Sequence, residues 1–172
     1  MIIKSERFTL RPYKASDLDS LVESINNEKV SRYMTRVPFP YTEKDGQEWI
    51  ERCQKEYKEA EPKEINLAIE IDGKVVGGIG FTKIEKKYQA GLGYWLAESY
   101  WNQGIMTEAT KLIIEFGLEK LELIRIYGHV FGANIPSTKV LKKAGFELEG
   151  IMKKGTKKDG KFFNRYLFAK VR

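Results

Sequence analysis

Residues 91–112 read Gly-Leu-Gly-Tyr-Trp-Leu-Ala-Glu-Ser-Tyr-Trp-Asn-Gln-Gly-Ile-Met-Thr-Glu-Ala-Thr-Lys-Leu. An apolar strand over Ala90 to Ala97 runs into a polar turn, Asn102 to Thr107, and then into a long helix. Ile105, Ala109, Leu112 and Phe116 recur at helical spacing with Met106 and Ile113, while Glu108, Lys111, Glu115 and Glu119 fall on the opposite side. A helix N-terminus carries unpaired N–H groups and a partial positive charge, so this turn has the form of a phosphate cradle. Taken alone, a single glycine before a helix is more often an ordinary strand–helix turn.

Working outward, hairpins and helices alternate. On the N-terminal side, Arg7 to Arg11 alternates and stops at Pro12, as a strand does. Ser16 with Asp19, and Thr42 with Asp45, are spaced as capping boxes for helices over Leu18–Ile25 and Trp49–Tyr57. Pro38-Phe39-Pro40-Tyr41 between them is an apolar loop, either a substrate lid or a helix–helix connector. Ile65 to Ile71 alternates and turns at Asp72-Gly73 into Val75 to Thr82, where Gly78 and Gly80 share a face that something approaches closely.

C-terminal to the long helix, Leu123 to Phe131 is a strand, and Asn134-Ile135-Pro136-Ser137 opens a short helix that Gly145 closes. Two last strands, Phe146 to Lys153 and Phe162 to Lys170, meet at Asp159-Gly160. The order β-α-α-β-β-β-α-β-α-β-β predicts a mixed sheet covered by helices, α/β (α+β) in class. It contains about seven strands and four helices.

The length of 172 residues suits one domain over 1–172. No run is long and apolar enough for a bilayer, the first residues lack a signal-peptide block, and the single Cys53 excludes an internal disulfide framework. The expected location is the cytoplasm, with no membrane partner. The net charge of +6 is spread along the chain rather than gathered in an arm. A nucleic-acid partner is therefore not expected, and no metal-ligand spacing is present.

The ordered segments Arg7-x-x-Leu10-Arg11-Pro12, Gly93-Tyr94-Trp95-Leu96, Trp101-x-x-Gly104-x-x-Thr107-Glu108-Ala109, Asn134-x-x-Ser137, Leu141-x-Lys143-x-Gly145-Phe146 and Glu149-Gly150 resemble the GNAT acyltransferases. The resemblance covers nearly the whole chain and points to the branch containing the ribosomal-protein N-terminal acetyltransferases. It implies a sheet splayed between the fourth and fifth of the seven strands, acetyl-CoA as co-substrate, and direct attack by a primary amine. Tyr94, Trp95 and Leu96 would then pair through their backbone with the pantetheine arm. Asn102, Gln103, Gly104, Ile105, Met106 and Thr107 would hold the pyrophosphate.

Asn134 would hydrogen-bond the pantetheine, besides or instead of capping its helix. Ser137 would reach the sulfur, or be a plain first-turn serine. Attack on a thioester also needs a proton acceptor and an oxyanion donor, the latter a backbone N–H near Leu96. His129, the one histidine, stands where some relatives carry a glutamate base, although a structural strand histidine reads the same way. Glu70 is the second candidate base.

The resemblance leaves the acceptor open. A protein N-terminal α-amine comes first; a small amine (polyamine, aminoglycoside or amino acid) is the alternative, and either a monomer or a homodimer is compatible. Gly91, Trp101, Asn102, Met106, Leu141 and Thr156 depart from the family's usual residues, Leu141 by removing a tyrosine acid and Thr156 by removing a glutamate. The departures at Gly91, Leu141 and Thr156 keep a non-catalytic CoA-binding module as a rival.

Overall fold

The computed structural model describes residues 1–172. One eight-stranded sheet runs in the order β1 (Ile3–Lys4), β2 (Thr9–Pro12), β3 (Ile65–Ile71), β4 (Lys74–Glu85), β5 (Gln89–Leu96), β6 (Arg125–Phe131), β8 (Lys161–Val171), β7 (Glu147–Lys158). Every neighbouring pair is antiparallel except β5 and β6, which are parallel. The parallel pair is joined by α4 (Ile105–Lys120), because parallel neighbours need a crossover that a tight turn cannot make. The two-residue β1 is the strand beyond the seven expected.

Five α-helices cover the sheet: α1 (Leu18–Ile25), α2 (Glu28–Ser31), α3 (Glu43–Lys58), α4 and α5 (Ile135–Lys143). The four-residue α2 is the helix that periodicity does not show, being shorter than the repeat needed to see it. The Thr42–Asp45 capping box forms as spaced, with the Thr42 amide 2.8 Å from an Asp45 carboxylate oxygen. The first helix departs from expectation. Asp17, not Ser16, closes its entry by accepting from the Lys14 amide at 2.8 Å.

The two faces of the sheet carry separate cores. Leu67, Ile69, Phe81, Leu92, Ile126 and Phe168 pack with Ile105, Ile113 and Leu141 of α4 and α5. Tyr13, Ala68, Val75 and Trp95 pack on the other face with Leu21, Ile50 and Cys53 of α1 and α3. Gly78 belongs to that second face, where an added Cβ would stand 2.5 Å from both the Trp95 indole nitrogen and the Tyr13 hydroxyl. The close approach read from the sequence is thus made by the chain's own aromatics at Gly78 and by Ile65 and Asn66 of β3 at Gly80. Ile124 lies just outside β6 and is exposed, so it is not part of the buried row with Ile126 and Val130. No helix is long and apolar enough to cross a membrane.

At the edge of the sheet Arg11 is buried between two acids. Its guanidinium donates to both Asp17 carboxylate oxygens, at 2.7 and 2.8 Å, and its Nε donates to Glu70. Side-chain exposure is 6% for Arg11 and 5% for Asp17, so water does little to screen the pair. This network ties β2, β3 and the entry of α1 together.

Candidate active site

The parallel pairing of β5 with β6 covers Gln89–Leu92 against Arg125–Gly128 and stops there. Beyond it β5 follows β4, with Gly93 to Leu96 opposite Gly80 to Gly77, while β6 follows β8 through Phe131 and Arg165. A wedge therefore opens between Gly93–Leu96 and His129–Phe131.

Backbone direction alternates along a strand. The Ala97 amide donates to the Val76 carbonyl on the β4 side at 2.8 Å, so Trp95 shares that direction, and Tyr94 and Leu96 turn their peptide groups into the wedge. This corrects the expectation for Trp95. Its peptide is spent on β4, and its indole is buried in the second core. Of Leu96, the carbonyl already accepts from the Trp101 indole N–H at 2.8 Å, leaving the amide as the group free for a guest.

At the wedge's α4 side the turn takes the shape proposed from sequence. Asn102 and Gly104 both have positive φ, 60° and 78°, and Gly104 caps α4. Ile105 and Met106 are buried and anchor the helix end, while Asn102, Gln103 and Gly104 are exposed. The amides of Ile105, Met106 and Thr107 occupy the first turn, where no intrahelical carbonyl is available. Arg7 braces this loop from the N-terminal segment: its guanidinium donates to the Gln103 carbonyl at 2.8 Å and pairs with Glu108. Glu108 is held below the usual carboxylate range, chiefly by that hydrogen bond. Arg7 is among the residues that carry the resemblance, yet nothing in the sequence links it to residues about a hundred positions away.

The α5 side closes the wedge. Asn134 caps α5, its side-chain oxygen accepting from the Ser137 amide at 3.2 Å, and its side-chain nitrogen makes no bond within the chain. The Ser137 hydroxyl lies 2.8 Å from the Tyr94 hydroxyl, and either can donate. Burial pushes the Tyr94 phenol up to about 12, so it stays protonated and bridges the two sides of the wedge. This phenol is a site feature that the backbone role foreseen for Tyr94 does not include.

His129 stands on the opposite face of β6 from Ile126 and Val130, at the wedge's rim. Its ring meets Tyr127 edge-on at 5.7 Å. Burial first, then the positive charges of Arg165 and Lys83, hold its imidazole below the ordinary histidine value. It is therefore neutral near pH 7 and able to accept a proton. Glu70 is placed elsewhere. Its carboxylate is engaged by Arg11 at the sheet edge, so it does not join His129 at the wedge.

A strap crosses above this region. The Lys158 ammonium donates to the carbonyls of Ser31 (2.7 Å), Met34 (2.6 Å) and Val37 (3.4 Å), and the Tyr33 hydroxyl donates to the Ala133 carbonyl at 3.4 Å. A surface cavity of about 590 Å³ lies away from the wedge, between the ends of α4 and α5 and the C-terminal strand.

Residues 7–147 match the family model described as an acetyltransferase (GNAT) domain. The uncharacterized N-acetyltransferase p20 of Bacillus licheniformis is 28% identical over 96% of this chain and 93% of its own length. The L-amino acid N-acetyltransferase AaaT of Escherichia coli is 32% identical over 59% of this chain and 65% of its own. Among solved structures, the ribosomal-protein α-N-acetyltransferase RimL in complex with coenzyme A superposes with a TM-score of 0.89 at 21% identity, covering 99% of this chain and 98% of that one. With the family model spanning 7–147, this chain belongs to the GNAT acetyltransferases.

Proposed function

We propose that the protein moves an acetyl group from acetyl-CoA to a primary amine, with an α-amine at a protein N-terminus as the first acceptor to test. The observation that carries this reading is the end of β5–β6 pairing at Leu92 and Gly128, which leaves the Tyr94 peptide and the Leu96 amide facing a gap beside an amide-lined turn. RimL, with which the fold is shared, holds coenzyme A.

The residues present suit that ligand. Tyr94 and Leu96 would pair with an extended amide-bearing arm as an added strand does. Amides from Asn102 to Thr107 would receive the pyrophosphate, and the free nitrogen of Asn134 would donate to the arm. Acetyl-CoA supplies an acetyl thioester at this gap. His129 accepts the acceptor amine's proton, the Leu96 amide donates to the carbonyl oxygen, and the Ser137–Tyr94 hydroxyl pair lies on the other side to receive charge at the sulfur. The whole of 1–172 acts as the catalytic unit.

The test is thiol release from acetyl-CoA in the presence of N-terminal peptides and small amines, with the acetylated product identified by mass. Turnover with at least one primary amine is the expected result; acetyl-CoA binding without product from any amine would sink it.

Arg7→Ala has a narrower effect. The ion pair is about half exposed, so little fold stability is at stake. The loop loses the cation holding its Gln103 carbonyl, and KM for acetyl-CoA rises about three- to tenfold, of the order of one modest hydrogen bond, with kcat nearly unchanged. A fall in kcat at constant KM would contradict that role.

A further inference from the structure

The acceptor side of the wedge is more specific than the family assignment. Tyr127, His129 and Phe131 of β6 lie opposite Ala169, Leu167 and Arg165 of β8, and cross-strand partners share a face. Arg165 therefore stands one step along from His129 on the same surface. Lys83 approaches from the other side, at the irregularity that ends regular β4–β5 pairing after Thr82. Between them the floor is low: a side chain at Gly93 would touch nothing within 4 Å.

Neither Arg165 nor Lys83 has a carboxylate partner; Glu85 on β4 accepts from the Gln89 side chain and Glu147 on β7 forms no ion pair, while four other acids are already taken. Glu64 is paired with Arg52, Glu70 with Arg11, Glu98 with Lys29, and Glu149 with Arg125. Two cations with no answering anion, flanking the candidate base, are a charge pattern awaiting a ligand.

We infer that the acceptor presents its amine beside a carboxylate, which Arg165 and Lys83 receive while His129 faces the amine. This rests on the acetyl-transfer reading above. A planar guanidinium matches a carboxylate with two parallel hydrogen bonds, and Lys83 adds a point charge. The same field disfavours the protonated form of an amine held near His129. An α-amine, ordinarily near 8, becomes about half neutral at pH 7 with a shift of about one unit, whereas an amine near 10.4 stays protonated. The pattern thus favours α-amines of acidic compounds and works against polyamines, whose extra positive charges would meet two more.

The test measures thiol release for matched acceptors: L-alanine against L-alaninamide, the C-terminally amidated peptide Ala-Asp-Asp-Ala against Ala-Asn-Asn-Ala, and spermidine. The expected result is a kcat/KM about ten- to a hundredfold higher for the carboxylate member of at least one pair, the worth of a charge-assisted hydrogen bond, with spermidine the poorest. A preference seen in the alanine pair alone identifies a free amino acid; one in the peptide pair alone identifies a chain N-terminus. Arg165→Gln and Lys83→Gln, the latter at an exposed position, each lower the preference several-fold. Equal rates within both pairs, spermidine as the best acceptor, or a preference unchanged in both variants would overturn the inference while leaving acetyl transfer intact. No turnover with any amine, despite acetyl-CoA binding, would overturn both.

Discussion

Arg11→Ala lowers the stability of the fold by about 3–5 kcal/mol, the cost of removing one partner from a buried ion pair. The magnitude follows from what stays behind. Asp17 is only 4% exposed and loses two hydrogen bonds from the guanidinium, so its carboxylate is left in a site that water does not reach. Glu70 also loses its partner, but at 26% side-chain exposure it recovers water and contributes less. For a chain of this size the midpoint of thermal unfolding drops by about 2–4 °C per kcal/mol. Circular dichroism melts of the variant and wild type read the effect directly. A drop of only a degree or two would show that the network is solvated and that Arg11 is not a structural tie. Arg11→Met, which fills the space without a charge, still strands Asp17 and does not restore stability.

His129→Ala has the largest expected effect on rate. A positioned general base contributes about 10²–10⁴-fold, and the second candidate base, Glu70, is held by Arg11 away from the wedge. The pH profile supplies the second readout. A protonated imidazole cannot accept a proton, so wild-type kcat/KM rises as pH increases through the His129 value. That limb lies below the ordinary 6.5, because burial and the charges of Arg165 and Lys83 all disfavour the imidazolium. In His129→Ala this limb disappears, and only the acceptor's own ionisation shapes the curve. Near-normal rates from pH 6 to 9 in the variant would return His129 to a structural role beside Tyr127 and pass the proton to water.

The features legible in the sequence are those that short-range chemistry decides. Asp72-Gly73 and Asp159-Gly160 form hairpin turns with both residues at positive φ, as their side chains allow. Thr42 and Asp45 close their capping box across three residues. The Asn102–Thr107 turn has its left-handed Gly104 because an L side chain there is strained whatever the space around it. The six ordered segments added the splay and its place between the fourth and fifth long strands.

What stayed hidden depends on distant partners. Nothing in Gly93-Tyr94-Trp95-Leu96 says that the Trp95 peptide is bonded to β4 and that Trp101 occupies the Leu96 carbonyl; both follow from register and packing. Glu70 reads as a free acid on the polar side of its strand until Arg11 is brought against it from 59 residues away. The brace from Arg7 to Gln103 and Glu108, and the strap from Lys158 to the loop after α2, are equally nonlocal. In each case the residue type was visible and its partner was not.

Each role proposed for the site residues requires that acetyl-CoA lie in the β5–β6 wedge with its pyrophosphate on the α4 turn. Backbone amide NMR during titration with coenzyme A tests it most directly. The predicted result is a set of large shifts at Tyr94, Leu96, Gly104, Ile105, Met106 and Thr107, with the Asn134 side-chain amide moving and the Trp95 amide, bonded to β4, moving least on its strand. Binding that leaves the Leu96 and Ile105–Thr107 amides unmoved, or no binding at all, would contradict the claim.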